Sequence, residues 1–439
     1  MKFSARHLLV PLIVTGIAAP LSAIPAAAAG SGPADRTPPV LTATGGPADK
    51  GAVTVVRGGA DGATTVVPLG DSRLTGYDEA GGHAVLSAGK AANGGASAAQ
   101  LRPGDVIASP ATAVAPHGAL VKVVATRPAA DGSVTVDTAP ADLVDALGDA
   151  KADLRTPLTA ADLKVKPLTK GGNATAGQAG GQSIRLDVDV PMPDGVKPTQ
   201  GNSSALSASM ELRPEMLFSY ERAHWYGYAP SRAEIGVAAD YGAGVKVHAE
   251  GSASYDTGHK PLHIPAAEVD VDKTVWLGPV PIVLNLKVDY FYDVSADGKI
   301  TVDAEQRTDG RLEVGARYDV NKGWSALTSP EPTTQGTPAR IQGAATAKAG
   351  IGSHARLGLY GSVGVEADAM PYLKATATGS AEGAPSKKDV KTDWGLYAGL
   401  ELNGSFFADL RVFGVKVIDH SWAFPEVRYE RKLAGGTGR

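Results

Sequence analysis

The chain has 439 residues and no cysteine, and its 42 basic residues nearly balance its 46 acidic residues, for a formal net charge of −4. This balance argues against a nucleic-acid partner, which needs a basic surface. Without cysteine, disulfides, thiolate metal sites and thiol catalysis are excluded. The 54 Gly, 30 Pro and 6% aromatic residues indicate a folded chain with many turns and a core of small aliphatic side chains.

The start of the chain has the three parts of a secretory signal peptide. Lys2 and Arg6 supply a positive start, Leu8–Ala19 is apolar, and Ala27–Ala29 offers a small-residue cleavage site. The apolar run is too short, and too interrupted by proline, to favour a membrane anchor. We therefore expect residues 1–29 to direct export and the mature protein to be secreted, extracellular or cell-wall associated.

A small β domain is predicted after the signal peptide. Residues 30–50 are rich in Gly, Pro and Ala and predict a flexible leader. Short β-branched segments then recur between turn signals over residues 51–170, which is typical of a β domain. The predicted strands are Ala52–Arg57, Thr64–Leu69, Asp105–Ile107, Ala119–Arg127 and Ser133–Thr138. One short helix is expected after Asp142, where Leu143 and Leu147 are one helical turn apart.

The domain boundary is expected in a glycine-rich stretch. Residues 171–206 predict a linker that contains one possible strand, Ser183–Val190. The remainder, residues 207–439, has the strongest alternation of apolar and polar residues in the chain. It predicts a larger antiparallel β domain.

The best alternating segment of this domain is Pro281–Val294, whose even-numbered apolar residues predict a long strand with one buried face. Ser295–Gly298 has the composition of a tight turn. Ile300, Val302 and Ala304 alternate after it, so the sequence predicts a β-hairpin here.

Further alternating runs are Ile235–Ala239, Val245–Ala249, Leu312–Tyr318, Arg356–Ala367 and Trp394–Val417. Glycines within the later runs, such as Gly358, Gly361 and Gly399, are expected at bulges, bends or close strand contacts. The fold class is therefore all-β, with a small N-terminal β domain followed by a larger antiparallel sheet, sandwich or barrel.

Two aspartates near the predicted turn are the candidate metal ligands. Asp293, Ser295, Asp297 and Gly298 match positions of a calcium loop, which needs closely spaced oxygen atoms and a sharp glycine turn. The pattern departs from the motif at Ala304, where a Glu should close the coordination sphere. Asp293 and Asp297 stand as candidates beside the alternative that Asp and Gly only favour a hairpin turn.

A second metal candidate is the pair His259 and His263, with Asp256 nearby. Pro261 prevents the regular helix on which histidines four residues apart converge. An exposed polar loop is the alternative.

An aromatic cluster is the candidate ligand-binding site. Trp225, Tyr226 and Tyr228 lie close together in sequence. Exposed on a sheet, their rings could stack on sugar rings or lie at a lipid interface, whereas the alternative is packing into the core.

No set of catalytic residues emerges. The chain lacks a G-x-S-x-G elbow, a P-loop and a dinucleotide fingerprint, so no cofactor is expected. Asp187 with Asp189, and Asp270 with Asp272, would share strand faces. Such paired carboxylates leave open a hydrolase of envelope polymers, beside the alternative of a solvated strand face.

Three segments, in this order along the chain, carry a resemblance. They are Leu101–Ile107, Ala115–Val124 and Val275–Val283. With them the chain resembles a loose group of large exported bacterial proteins of actinobacterial type that have no assigned activity. The resemblance implies export and β architecture, and it carries over no functional residue.

The sequence thus favours an exported, non-enzymatic β protein with a structural or binding role at the cell surface or outside the cell. An envelope glycan or another surface protein is the expected partner. One alternative is a membrane-active β-barrel, because Pro281–Val294 exceeds the roughly 9–11 residues of a tilted spanning strand. The other is the envelope-polymer hydrolase.

Overall fold

A computed structural model of the chain describes 17 segments. They are residues 40–41, 43–44, 51–59, 64–67, 69, 71–87, 98–168, 173–175, 183–191, 204–222, 230–249, 262–328, 331–336, 340–378, 392–406, 422–423 and 426–438. The predicted signal peptide, residues 1–29, and most of the predicted leader lie outside these segments.

The described residues form strands almost throughout. The first twelve strands are β1 (Val40–Leu41), β2 (Ala43–Thr44), β3 (Thr54–Gly58), β4 (Thr64–Val67), β5 (Leu74–Asp78), β6 (His83–Leu86), β7 (Val106–Ser109), β8 (Ala119–Pro128), β9 (Val134–Pro140), β10 (Lys151–Pro157), β11 (Leu163–Pro167) and β12 (Asn173–Thr175). The next twelve are β13 (Ile184–Pro191), β14 (Ser204–Arg222), β15 (Pro230–Ala249), β16 (Leu262–Leu277), β17 (Val280–Asp319), β18 (Gly323–Thr328), β19 (Glu331–Gly336), β20 (Arg340–Leu359), β21 (Ser362–Thr378), β22 (Thr392–Phe406), β23 (Trp422–Ala423) and β24 (Val427–Gly438). The helical elements are α1 (Leu143–Leu147) and two short 3₁₀ turns, Ala98–Gln100 and Ala160–Asp162. In this part of the chain no helix is long and apolar enough to span a membrane.

The all-β prediction is confirmed. Seven strands form a small sheet in the order β4-β3-β7-β8-β9-β6-β5, and the other seventeen belong to one large, mostly antiparallel sheet. The five strands predicted in the small domain correspond to β3, β4, β7, β8 and β9, while β5 and β6 are not foreseen by the sequence. The predicted helix is α1, where the side chains of Asp142 and Asp145 form a capping box.

The large sheet is organised around β17, which is 40 residues long. Its first half pairs with β16 on one side and β20 on the other, and its second half pairs with β15. The sheet then extends from β20 through β21 and β22 to β24, and from β15 through β14 to β13.

The prediction of a hairpin turn at Ser295–Gly298 is wrong. These residues continue β17 and pair with Lys348–Ala345 of β20. The residues expected to return along Pro281–Val294 pair with β20 and β15 instead. The ladder with β20 continues without a break through these four residues, and this pairing overrides the turn composition.

Another predicted run is divided by a turn. The chain reverses within Arg356–Ala367, at Tyr360 and Gly361, whose φ angles are 50° and 79°. Two successive residues with positive φ form the tight turn that joins β20 to β21. The register also shifts between Leu357 and Gly358, so the glycines predicted to mark bends and bulges do so at Gly358 and Gly361.

The two sheets share one hydrophobic core. A single cluster contains Val56 and Val106 of the small sheet together with Ile282 and Leu284 of β17. The described residues all belong to one compact unit. The boundary predicted within residues 171–206 stays a prediction, although its possible strand corresponds to β13.

Gly118 lies where the small sheet meets β17. It has a φ of 76°, and a Cβ atom there would lie 2.5 Å from Cγ2 of Val283 and 2.9 Å from the carbonyl oxygen of Ser109. Both the backbone angle and the close approach of the sheets therefore require glycine.

We expect Gly118→Ala to destabilise the protein by about 3 kcal/mol, combining left-handed backbone strain with a clash against β17. Gly323→Ala is the matched control, since Gly323 has a φ of 73° and no heavy atom within 4 Å of a built Cβ. It should cost only about 1 kcal/mol. Urea unfolding of both variants measures the difference, and equal losses would contradict the proposed contact between the sheets.

Candidate ligand cavity

One face of the large sheet is apolar across several strands. Register pairing places Val269 of β16, Val288 of β17, Ala355 of β20 and Ala367 of β21 in one row. Side chains at alternate positions share a face, so the neighbours of these residues point the other way. We call the side that carries this row the inner face.

The outer face is charged. Lys287 Nζ donates to Glu268 Oε1 at 2.9 Å, and Arg356 Nε lies 3.3 Å from Glu366 Oε1. Lys348 Nζ donates to an oxygen of Glu401 at 2.8 Å. These cross-strand pairs are partly exposed and contribute little to stability, but they keep the outer face hydrated.

A cavity lies against the inner face. Its lining residues are Leu158, Leu163, Leu212, Pro214, Val237, Ala239, Tyr241, Val269, Val271, Leu286, Val288, Tyr290, Leu312, Val314, Ile351, Ser353, Ala355, Ala367, Ala369, Pro371 and Leu400. The volume of the cavity is about 130 Å³. Among the described residues, no charged side chain belongs to this lining.

The cavity shows that β17 is bent. Leu286 in its first half and Leu312 in its second half both line the cavity. An extended strand between these residues would span roughly 85 Å at about 3.3 Å per residue. The two halves of β17 must therefore turn their inner faces towards the same space, and β15 does approach β20 and β21.

Three hydroxyl groups are the polar side-chain groups of the lining. Ser353 Oγ donates to the carbonyl oxygen of Ala369 at 3.4 Å, whereas the buried Tyr241 hydroxyl has no hydrogen-bond partner among the described residues. Burial raises the pKa of Tyr290 and, with a smaller contribution from Asp309, the pKa of Tyr241. Both phenols therefore stay neutral, and the lining carries no charge at neutral pH.

All lining residues except Leu158 lie in strands. Leu158 begins a short connection from β10 to β11, residues Leu158–Asp162, which we call the strap. Because β10 pairs with β14 and β11 pairs with β16, the strap crosses from one part of the sheet to another. Leu158 is fully buried, so the strap covers this side of the cavity.

An ion pair fastens the end of the strap. Lys273 Nζ donates to Oδ1 and Oδ2 of Asp162 at 2.7 and 2.8 Å. The backbone N–H and the hydroxyl of Thr159 also donate to Oδ2 of Asp162, at 2.9 and 2.8 Å. Burial alone would raise the pKa of Asp162, but the hydrogen bonds from Lys273 and Thr159 outweigh burial and lower this pKa.

The structure does not bring the two candidate metal ligands together. Asp293 accepts a hydrogen bond at Oδ1 from Nδ1 of His263 at 2.9 Å, in the tautomer or ionisation state that carries a proton there. Asp297 lies four residues further along the same strand, about 13 Å away between Cα atoms. The continuous strand replaces the loop that a calcium site of this pattern requires.

The histidine candidates are partly described. His259 and Asp256 lie outside the described residues, and the ring of His263 packs on Phe291 with 4.4 Å between centroids. Among the described residues there is no group of three or more metal-ligating side chains.

The candidate aromatic cluster cannot be placed, because Trp225, Tyr226 and Tyr228 lie outside the described residues. Asp270 and Asp272, the candidate carboxylate pair, lie on the outer face of β16. There Asp272 accepts a hydrogen bond from Nδ2 of Asn285 at 2.8 Å.

Comparisons of the chain with protein-family models, curated proteins and solved structures find no match. The cavity and its surroundings therefore carry the functional argument.

We expect the Asp162–Lys273 pair to stabilise the protein in a pH-dependent way. Because the pKa of Asp162 is lower in the folded state than in the unfolded chain, its stabilisation is complete above the unfolded-state pKa and is lost as the pH falls through the lowered value. Asp162→Asn should cost about 2 kcal/mol at neutral pH and progressively less in acid. Urea unfolding at several pH values measures this difference, and a deficit independent of pH would contradict the assignment.

Proposed function

We propose that this chain is an exported, non-enzymatic binding protein that holds an apolar molecule in the cavity of its large sheet. The observation that carries this proposal is the lining itself, whose residues are almost all aliphatic and none of them charged. Ligand sites are typically concave, mostly apolar and provided with few polar groups.

The size of the cavity favours an organic ligand over isolated water. A single water needs roughly 10–15 Å³ in the same measure, whereas the space here is about 130 Å³. Several waters would be needed to fill this space, each with two to four polar partners, and the described lining offers only three hydroxyl groups. An aliphatic molecule would gain about 25 cal/mol for each Å² of apolar surface removed from water.

The lining also favours binding over catalysis. Acid–base and nucleophilic catalysis need a positioned titratable group, and Ser353, Tyr241 and Tyr290 have no base beside them in the lining. Export rests on the signal-peptide pattern of residues 1–29. The envelope glycan or surface-protein partner of the aromatic cluster stays a prediction.

The proposal predicts that filling the cavity prevents binding. Ala369 lines the cavity on β21, so Ala369→Phe should place a ring in the ligand space and weaken binding of N-phenyl-1-naphthylamine at least tenfold. The measurement is the fluorescence of this uncharged probe on titration with protein.

Met370→Phe is the matched control, because it places the same ring on the outer face of the same strand. It should leave probe binding within about twofold of the unsubstituted chain. Circular dichroism and urea unfolding check that both variants fold. Equal binding by the two variants, or no binding by the unsubstituted chain, would disprove the proposal.

A further inference from the structure

A lysine lies on the inner face, beside the cavity. Lys273 is two residues from Val271, which lines the cavity, and alternate residues of a strand share a face. Its side chain is 24% exposed. An ammonium group in this partly dehydrated position is stabilised by an anionic partner.

That partner comes from the strap and not from the sheet. Asp162 is the acid that pairs with Lys273 in the described structure. Within the described residues, the strap itself has one backbone hydrogen bond to the sheet, from Leu158 N–H to the carbonyl oxygen of Pro214 at 2.9 Å. Each neighbouring strand is held instead by a continuous ladder. Short segments with few such bonds open at lower free energy than paired strands.

We propose that the ligand of the cavity is an anionic amphiphile, an aliphatic chain with a carboxylate group, and that its carboxylate replaces Asp162 at Lys273. This inference rests on the proposed function and adds the chemical class of the ligand. In the structure, Asp162 occupies the position that we assign to the acidic group of the ligand.

The exchange keeps every charge partnered. When the ligand carboxylate binds Lys273, the displaced Asp162 moves into water with its end of the strap, and no ion is left buried alone. A neutral chain offers Lys273 no anion, so Asp162 must stay in place and the strap stays closed. The protein should therefore prefer an acid to the corresponding alcohol.

The test compares two ligands that differ in the head group alone. Dodecanoic acid and dodecan-1-ol are each titrated against N-phenyl-1-naphthylamine bound to the full chain at neutral pH. We expect the acid to displace the probe about tenfold more effectively than the alcohol. Lys273→Met should abolish this preference, and Asp162→Asn should strengthen binding of the acid several-fold because it removes the internal competitor.

Lys287→Met is the matched control, since it removes a similar ion pair, with Glu268, from the outer face. It should keep the full preference for the acid. If Lys273→Met does not fold, Lys273→Gln retains a hydrogen-bond donor without the charge and serves in its place.

Different results would contradict the anionic ligand and the proposed function. Equal displacement by acid and alcohol, or a preference that persists in the Lys273 variant, would overturn the anionic ligand and leave an apolar binding site. A probe that does not bind, or binding that Ala369→Phe does not affect, would overturn the proposed function itself.

Discussion

The architecture depends on one constraint: the large sheet has an apolar face that has to be kept from water. The register of its ladders aligns small aliphatic side chains into rows such as Val269, Val288, Ala355 and Ala367, and the opposite face carries ion pairs. A flat sheet would leave these rows exposed. The chain covers them by bending β17 until its halves face each other, and by packing the small sheet against part of the same strand.

The strand content is readable from the sequence because it depends on local alternation. In β17 most large apolar side chains are at even-numbered positions on both sides of Ser295–Gly298, from Ile282 to Val302 and from Leu312 to Tyr318, as a single unbroken strand requires. Because the apolar residues have the same parity before and after Ser295–Gly298, the pattern argued against a hairpin, whereas the Asp-Gly composition indicated a turn. The short strand β5 could not be foreseen, since Leu74–Asp78 has little alternation and is held by its pairing with β6.

The cavity could not be predicted in the same way. Its residues are individually typical of a buried strand face, and the space between them exists only because distant strands oppose one another. Lys273 could have been noticed in the sequence. It has the same parity as Val269 and Val271, so it places a charge on an otherwise apolar strand face. Nothing local to Asp162 indicates that it would meet this lysine, because the strap brings them together across the sheet edge.

The central position of β17 has a consequence for how the chain folds. Its ladder partners include β15 and β16, which precede it, and β20, which follows it, so most of its contacts join residues far apart in sequence. Such a high contact order makes folding slow, because loop closure must precede the contacts that reward it. During synthesis β17 cannot acquire both neighbours until β20 has been made. We therefore expect the nascent chain to remain incompletely folded until late in translation.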